Sequence, residues 1–128
     1  MDLQVIFQLF LATFFGALIG LEREMKKKGA GLQTYSLVSL ATCLFTIISF
    51  ALFDFFENKS GLKFDPNGLI QAIAIGIGFI GAGVIFRQPA GIVGLTTAAG
   101  LWVTAAIGIA TGTKLYSLAI FTTLLTLL

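Results

Sequence analysis

The sequence predicts an all-α integral membrane protein, a bundle of about five transmembrane helices that pack through faces rich in glycine and alanine. Of its 128 residues, 57% are hydrophobic and only 11% are charged, whereas soluble domains carry about one quarter charged residues. The mean hydropathy is +0.99. The chain also contains 15 glycines, which cost about 1 kcal/mol each in a helix in water but let helices approach closely in lipid.

The apolar runs predict one transmembrane domain, with spans at residues 3–21, 34–56, 69–86, 95–111 and 115–128 and no soluble carboxy-terminal domain. Crossing the hydrocarbon core takes roughly 20 helical residues. A charged run ends the first span, and turn-forming residues around Asp65 keep the segment before the third span outside the hydrocarbon. The fifth run has 14 residues, so it is either short and tilted or continues in a longer protein.

Basic residues divide unequally between alternate loops. One side carries Arg23, Lys26, Lys27, Lys28 and Arg87, and the other carries Lys59, Lys63 and Lys114. The positive-inside rule therefore places the amino terminus outside and loops 22–33 and 87–94 in the cytoplasm. The expected contact of the basic loop is an anionic leaflet of the lipid bilayer. A net charge of +2 does not indicate nucleic acid binding.

The sequence has no histidine, and Cys43 is its one cysteine. This composition excludes disulfides within the chain, thiolate zinc sites and catalysis with a histidine base. We therefore predict no enzymatic activity, no cofactor and no metal site. The outer carboxylates of Asp54, Glu57 and Asp65 are weak candidates for a hard cation, with an ordinary solvated loop as the alternative.

Small residues recur at helical spacing in three spans and predict packing faces. The first span carries Gln8, Ala12, Gly16, Gly20 and Glu24 at a spacing of four. The fourth carries Thr96, Gly100, Thr104, Gly108 and Gly112 at the same spacing. The third carries two ridges, Ala74, Gly78 and Ala82 beside Ala72, Gly76 and Gly83. The face of the first span is interpreted as a packing seam or, alternatively, as a polar transport track.

Gly76, Gly78 and Gly81 also match the dinucleotide-binding pattern G-x-G-x-x-G. That pattern requires a preceding strand and an acidic residue about 20 positions further on, and neither is present. Helix packing is therefore the favoured interpretation. The ridge left over on the third span favours a homodimer.

Polar candidates cluster at the predicted cytoplasmic ends of the spans. The charged run is either an orientation signal or a recognition element, and it contains Glu22, Arg23, Glu24 and Lys28. Gly31 permits a tight re-entry into the membrane, and Thr34 is expected to cap the second span.

Two further groups concern the fourth span. Thr96 and Thr97 are expected to cap it, and Arg87 is expected to pair with Glu22 or Glu24. The indole of Trp102, near mid-span, is expected to form a hydrogen bond inside the bundle.

Several of these segments resemble the MgtC/SapB family. They are GALIGLERE at 16–24, KGAGLQTYSLVSL at 28–40, the Asp65-Pro66 turn, GIGFIGAGVIFR at 76–87 and GLTTAAGLWVTAAIGIATG at 94–112. Gln33 and Gly68 stand where relatives commonly carry basic residues. The resemblance implies a bacterial inner-membrane protein linked to growth at low magnesium, to virulence through survival inside macrophages, and to restraint of the F-type ATP synthase.

Two functional hypotheses remain open at the level of sequence. The first is a membrane regulator that acts through protein contacts. The second is a transporter or channel for magnesium or another small ion, with an aqueous path along the polar positions. The direction of the small-residue stripe on the fourth span separates them, because a stripe buried against another helix favours the regulator and one facing a water-filled cavity favours transport.

Overall fold

The computed structural model describes residues 2–61 and 63–128, without the side chains of residues 58–60. Its helices are α1 Leu3–Met25, α2 Leu32–Ser60, α3 Pro66–Gly83, α4 Leu95–Gly112 and α5 Tyr116–Leu127. Helices α1 to α4 are long and apolar enough to cross a membrane, and α5, with 12 residues, is shorter. The predicted all-α membrane bundle is confirmed.

Helix α4 lies at the centre of the bundle. It packs on all four other helices, while α1 and α2 pack along each other and α3 touches α2 only slightly. In the apolar stretch of each helix that could cross a membrane, 50% of the α4 residues are buried, against 17% of the α3 residues. The largest fully buried apolar side chains are Ile19, Tyr35, Leu101 and Ile107. Because α3 leaves most of its surface uncovered, it is the outermost long helix.

The segment after α3 differs from the prediction. The third span was expected to continue to Phe86, but α3 ends at Gly83 and a short antiparallel hairpin follows, β1 Phe86–Gln88 and β2 Gly91–Val93. Pro89 lies in the turn, where its missing N–H interrupts no helix, and Gly91 has a φ of 137° that favours glycine. The sequence indicated a break here but not a strand pair.

The second span also extends further than predicted, because α2 begins at Leu32 rather than Thr34 and continues to Ser60. Gly31 is its N-cap residue. Thr34 therefore lies inside the first turn and does not cap the helix, contrary to the expectation. The physical reason is that the close approach of α1 at Gly31 fixes where α2 starts.

Threonine capping of α4 is likewise wrong. The N-cap residue is Gly94, with a φ of 97° and no side-chain cap bond. A Cβ at this position would overlap the carbonyl oxygen of Val84, so the chain passes too close for any other residue. Thr96 and Thr97 consequently lie within the first turn of α4, where Thr96 is exposed and Thr97 is buried.

Candidate functional site

Three helices meet at a polar junction near the carboxy-terminal end of α1. Nη2 of Arg23 donates a hydrogen bond to Oγ1 of Thr97 at 3.1 Å. The hydroxyl of Tyr35 donates to the carbonyl oxygen of Thr97 at 3.2 Å, and the Arg23 guanidinium lies beside that hydroxyl. The junction therefore connects α1, α2 and α4 through one buried threonine.

Tyr35 is the functional candidate that sequence reasoning missed. Its side chain is 0% exposed, and it is the largest of the fully buried side chains. The available signal was its position directly after Thr34 in the re-entry segment. A tyrosine buried in a membrane bundle needs a partner for its hydroxyl, which is the observation that could have directed attention to it.

The carboxylates of the charged run do not pair with arginine as expected. Glu22 Oε1 accepts from Lys26 Nζ at 2.9 Å, one helical turn away. Glu24 is exposed and packs its Oε1 so close to Gly31 that a Cβ there would lie 2.7 Å from it. The exposed Lys28 follows the end of α1, and its N–H donates to the carbonyl oxygen of Arg23 at 3.0 Å.

Arg87 does not reach either glutamate. It lies on strand β1 opposite Ile92 and is exposed. Among the residues that the structure describes, it forms no ion pair. The expected pairing with Glu22 or Glu24 is wrong because the hairpin, which the sequence did not predict, carries this side chain on an exposed strand.

Glycines of α1 form a close seam with α2. A Cβ on Gly16 would lie 2.5 Å from the carbonyl oxygen of Tyr35, and a Cβ on Gly20 would lie 2.7 Å from that of Gly31. Real Cβ atoms do not approach backbone oxygens so closely, so either substitution would push α1 and α2 apart. These two glycines thus hold α1 and α2 near enough for the Arg23 guanidinium to lie beside the Tyr35 hydroxyl.

Glycines of α4 form a second seam, again with α2. A Cβ on Gly100 would lie 2.7 Å from the hydroxyl oxygen of Tyr35, and one on Gly112 would lie 2.7 Å from Cβ of Thr46. At Gly108 an added Cβ would overlap the side chain of Thr42. The small-residue stripe of α4 is therefore buried against a neighbouring helix from Gly100 onward.

Polar groups inside the bundle bind to neighbouring backbone. Gln8 is 3% exposed, and its Nε2 donates to the carbonyl oxygens of Thr111 at 3.1 Å and Gly112 at 2.9 Å. Buried threonine hydroxyls donate to carbonyls of their own helices at Thr42, Thr46, Thr104, Thr111 and Thr123. The exception is Ser39, whose hydroxyl has no partner in the described part of the chain. This arrangement is typical of a packing seam rather than a transport track.

Trp102 points out of the bundle. Its side chain is 60% exposed, so the expectation of an interior hydrogen bond is wrong. At helical spacing it shares an outer face with Ala99 and Ala106, which are also exposed, whereas Leu101 and Thr104 face inward. The ring therefore lies on the outer surface of the bundle.

Most glycines of α3 have no neighbour in the chain. A Cβ on Gly76, Gly78 or Gly83 would meet nothing within 4 Å. Gly81 does face α4, where its Cβ would lie 3.5 Å from that of Ala98. The buried face of α3 consists of Ile73, Ile77 and Gly81. Gly76, Gly78 and Gly83, which the sequence assigned to two packing ridges, lie off this buried face and meet no described residue of the chain.

The outer carboxylates remain apart. Asp65 is the exposed N-cap residue of α3, with its carboxylate over Gly68. In the described ranges, no three His, Cys, Asp or Glu side chains come together as metal ligands.

The similarity to known proteins covers the segments described above. The family model described as MgtC family matches residues 9–128. The chain belongs to the MgtC family. The resemblance to MgtC/SapB proteins is thereby confirmed.

Named relatives come from several bacteria. YhiD of Escherichia coli K12, whose name proposes magnesium transport, is 42% identical over 128 residues, all of this chain and 60% of the relative. Protein SapB of Bacillus subtilis is 40% identical over 116 residues, 90% of this chain and 50% of the relative. Protein MgtC of Salmonella typhimurium is 38% identical over 122 residues, 95% of this chain and 49% of the relative. The chain thus spans only about half to three fifths of their length. No solved structure matches.

The segments that carry the MgtC-family resemblance converge on the polar junction. Arg23 belongs to GALIGLERE, Tyr35 to KGAGLQTYSLVSL, and Thr97 to GLTTAAGLWVTAAIGIATG. Thr97 lies 74 positions after Arg23 and 62 positions after Tyr35, yet it is at hydrogen-bond distance from both. The departures lie elsewhere, with Gln33 exposed at the start of α2 and Gly68 in the first turn of α3.

Proposed function

We propose that this MgtC-family chain is a non-enzymatic regulator in the bacterial inner membrane, which acts by contacting other membrane proteins. The observation that carries the proposal is the division of its glycines. Those of α1 and α4 are covered by α2, whereas Gly76, Gly78 and Gly83 of α3 are open to the surroundings. Helical spacing puts Gly78 on one side of α3 and Gly76 with Gly83 on another. An open glycine lets a transmembrane helix from another chain approach closely.

The packed interior supports the same proposal. A path for an ion requires polar groups that face a shared aqueous space. Here the side-chain amide of Gln8 donates hydrogen bonds to the last carbonyl oxygens of α4, and Gly108 is in contact with α2. Gln8 lies on the face of the first span along which the sequence placed the alternative track, and Gly108 lies in the stripe whose direction separates the two hypotheses.

We further propose that a second copy of the chain covers the Gly78 side of α3 in a dimer with twofold symmetry, the commonest symmetry of homo-oligomers. In such a dimer, α3 of each protomer would pack on α3 of the other. The charged loop at residues 22–33, which we place in the cytoplasm with the amino terminus outside, remains free to contact a larger complex. Because of the resemblance, the F-type ATP synthase is the first such complex to test, and the test is made in cells grown at low magnesium.

Cysteine cross-linking tests the dimer. In membranes containing the Cys43→Ala chain, we expect Gly78→Cys to form a disulfide-linked dimer on oxidation, because its added side chain has open space on α3. Phe121→Cys on α5 is the matched control, since Phe121 is 61% exposed but lies on a different face. Equal cross-linking of the two variants, or none at Gly78→Cys, contradicts the dimer through α3.

A magnesium transporter is the second candidate, favoured by the name given to YhiD. We expect purified protein in liposomes to show no magnesium flux above empty liposomes, because the interior polar groups are engaged by backbone. Glu24→Gln and Arg87→Gln are measured beside the unchanged chain. Saturable flux that both substitutions abolish would reverse the proposal in favour of transport. Absence of flux from folded protein supports the regulator and directs the search to membrane partners.

A further inference from the structure

The guanidinium of Arg23 has hydrogen-bond donors that the bundle does not use. One nitrogen donates to Thr97, but its Nε is buried without an acceptor among the described residues. Within the same residues no carboxylate forms an ion pair with it, and the nearby Glu22 pairs with Lys26. A partly buried cation without a counter-charge is costly. Because Nε is closed to solvent, an acceptor from outside the chain would have to bind the terminal nitrogens of the guanidinium.

A groove opens directly beside this guanidinium. It has a volume of about 250 Å³ and lies between α1, α4 and α5. Ile19 and Val103 supply apolar wall, and Thr96 and Thr126 supply hydroxyl groups. The lining also contains Tyr35 of α2 and Glu22, whose carboxylate is paired with Lys26. The Thr126 hydroxyl donates to the carbonyl oxygen of Thr122 at 2.8 Å, whereas Thr96 is exposed. The groove thus combines the Arg23 guanidinium, a carboxylate already paired with lysine and an exposed hydroxyl with an apolar surface.

The groove lies at the level of lipid headgroups. Arg23 comes 20 positions after Leu3 on α1, which is about 30 Å along a helix at about 1.5 Å per residue. The hydrocarbon core is also about 30 Å thick, so a span that starts at one boundary brings Arg23 to the other. The exposed Lys26, Lys27 and Lys28 follow immediately. Lys26 balances the charge of Glu22, so the surroundings of the groove remain positive.

We propose that this groove binds the phosphate group of an anionic phospholipid. The planar fork of Arg23 matches the oxygens of a phosphate, and the Thr96 hydroxyl supplies a further donor. Ile19 and Val103 face the glycerol and the first methylenes of the acyl chains. The bound lipid provides the counter-charge that Arg23 lacks and fills the space between α5 and the α1–α4 pair. This site is separate from the open glycines of α3.

The test is a lipid titration of the purified full chain followed by native mass spectrometry. We expect phosphatidylglycerol to bind saturably, and diacylglycerol, which has no phosphate, to bind at least about tenfold more weakly. Arg23→Gln is expected to weaken phosphatidylglycerol binding by a similar factor. Arg87→Gln, which removes an exposed arginine on the hairpin, is expected to leave it unchanged.

A second pair of variants keeps the test decisive if Arg23→Gln does not fold. Thr126→Leu fills the groove without altering the guanidinium, so it is expected to abolish saturable binding. Thr122→Leu is the matched control one turn earlier on α5, outside the groove lining. Unchanged binding in Thr126→Leu, or equal binding of diacylglycerol, would overturn the proposal. Inorganic phosphate alone binding as tightly as the lipid would overturn a lipid as the source of the phosphate.

Discussion

Gly108→Ala is expected to lower the free energy of unfolding of the bundle by about 1–3 kcal/mol, the usual cost of overpacking a close contact. The added Cβ would overlap the side chain of Thr42 and crowd the carbonyl oxygen of Ser39. A rotamer change can move the Thr42 side chain, but only a shift of α2 can move the Ser39 oxygen. The substitution therefore pushes α4 away from α2.

Gly76→Ala is the matched control for this prediction. Gly76 lies on a membrane helix of equal length, α3, yet a Cβ there would meet nothing within 4 Å. Alanine is also the better helix former, so stability is expected to stay equal or to rise slightly. Reversible unfolding in detergent, at a dilution where the chain is monomeric, measures both variants. Equal losses in the two would show that α4 is not seated on α2 as described.

The sequence could predict the membrane bundle but not which glycines face inward. Length and hydropathy determine that α1 to α4 can span a membrane, and lipid tolerates apolar residues on every side of a helix. In α3 this removes the usual contrast between an apolar inner and a polar outer face. Gly76 and Gly81 therefore look equivalent in sequence, although only Gly81 faces another helix. Trp102 was misplaced for the same reason.

The polar junction was only partly predictable. Arg23 and Thr97 were both named as candidates, but Thr97 was interpreted as a helix cap and Arg23 as part of an orientation signal or recognition element. Their contact depends on how far α1 and α4 approach and how each is rotated, which local sequence rules do not specify. The start of α4 was assigned to threonine because its hydroxyl is a common cap. In the structure the N-cap residue is instead Gly94, whose backbone is left-handed.

Tyr35→Ala is expected to be the most destabilising substitution in the chain, at about 3–5 kcal/mol, the range measured for removing large buried aromatic side chains. The side chain is 0% exposed and lies between α1, α2 and α4. Its loss leaves a cavity where three helices meet and removes the hydrogen bond to the Thr97 carbonyl. Phe79→Ala on α3, where the ring is 85% exposed, is expected to change stability little.

Two further variants separate packing from hydrogen bonding at Tyr35. Tyr35→Phe keeps the ring and removes one hydroxyl, so it is expected to cost about 0.6–1.7 kcal/mol, as single hydrogen bonds in membrane proteins do. A Cβ at Gly100 would lie 2.7 Å from this hydroxyl oxygen. Gly100→Ala should therefore destabilise the unchanged chain but cost much less in the Tyr35→Ala background, a coupling that unfolding of the double variant measures. Additive losses would show that the tyrosine ring does not contact α4, and they would contradict the three-helix junction on which the candidate site depends.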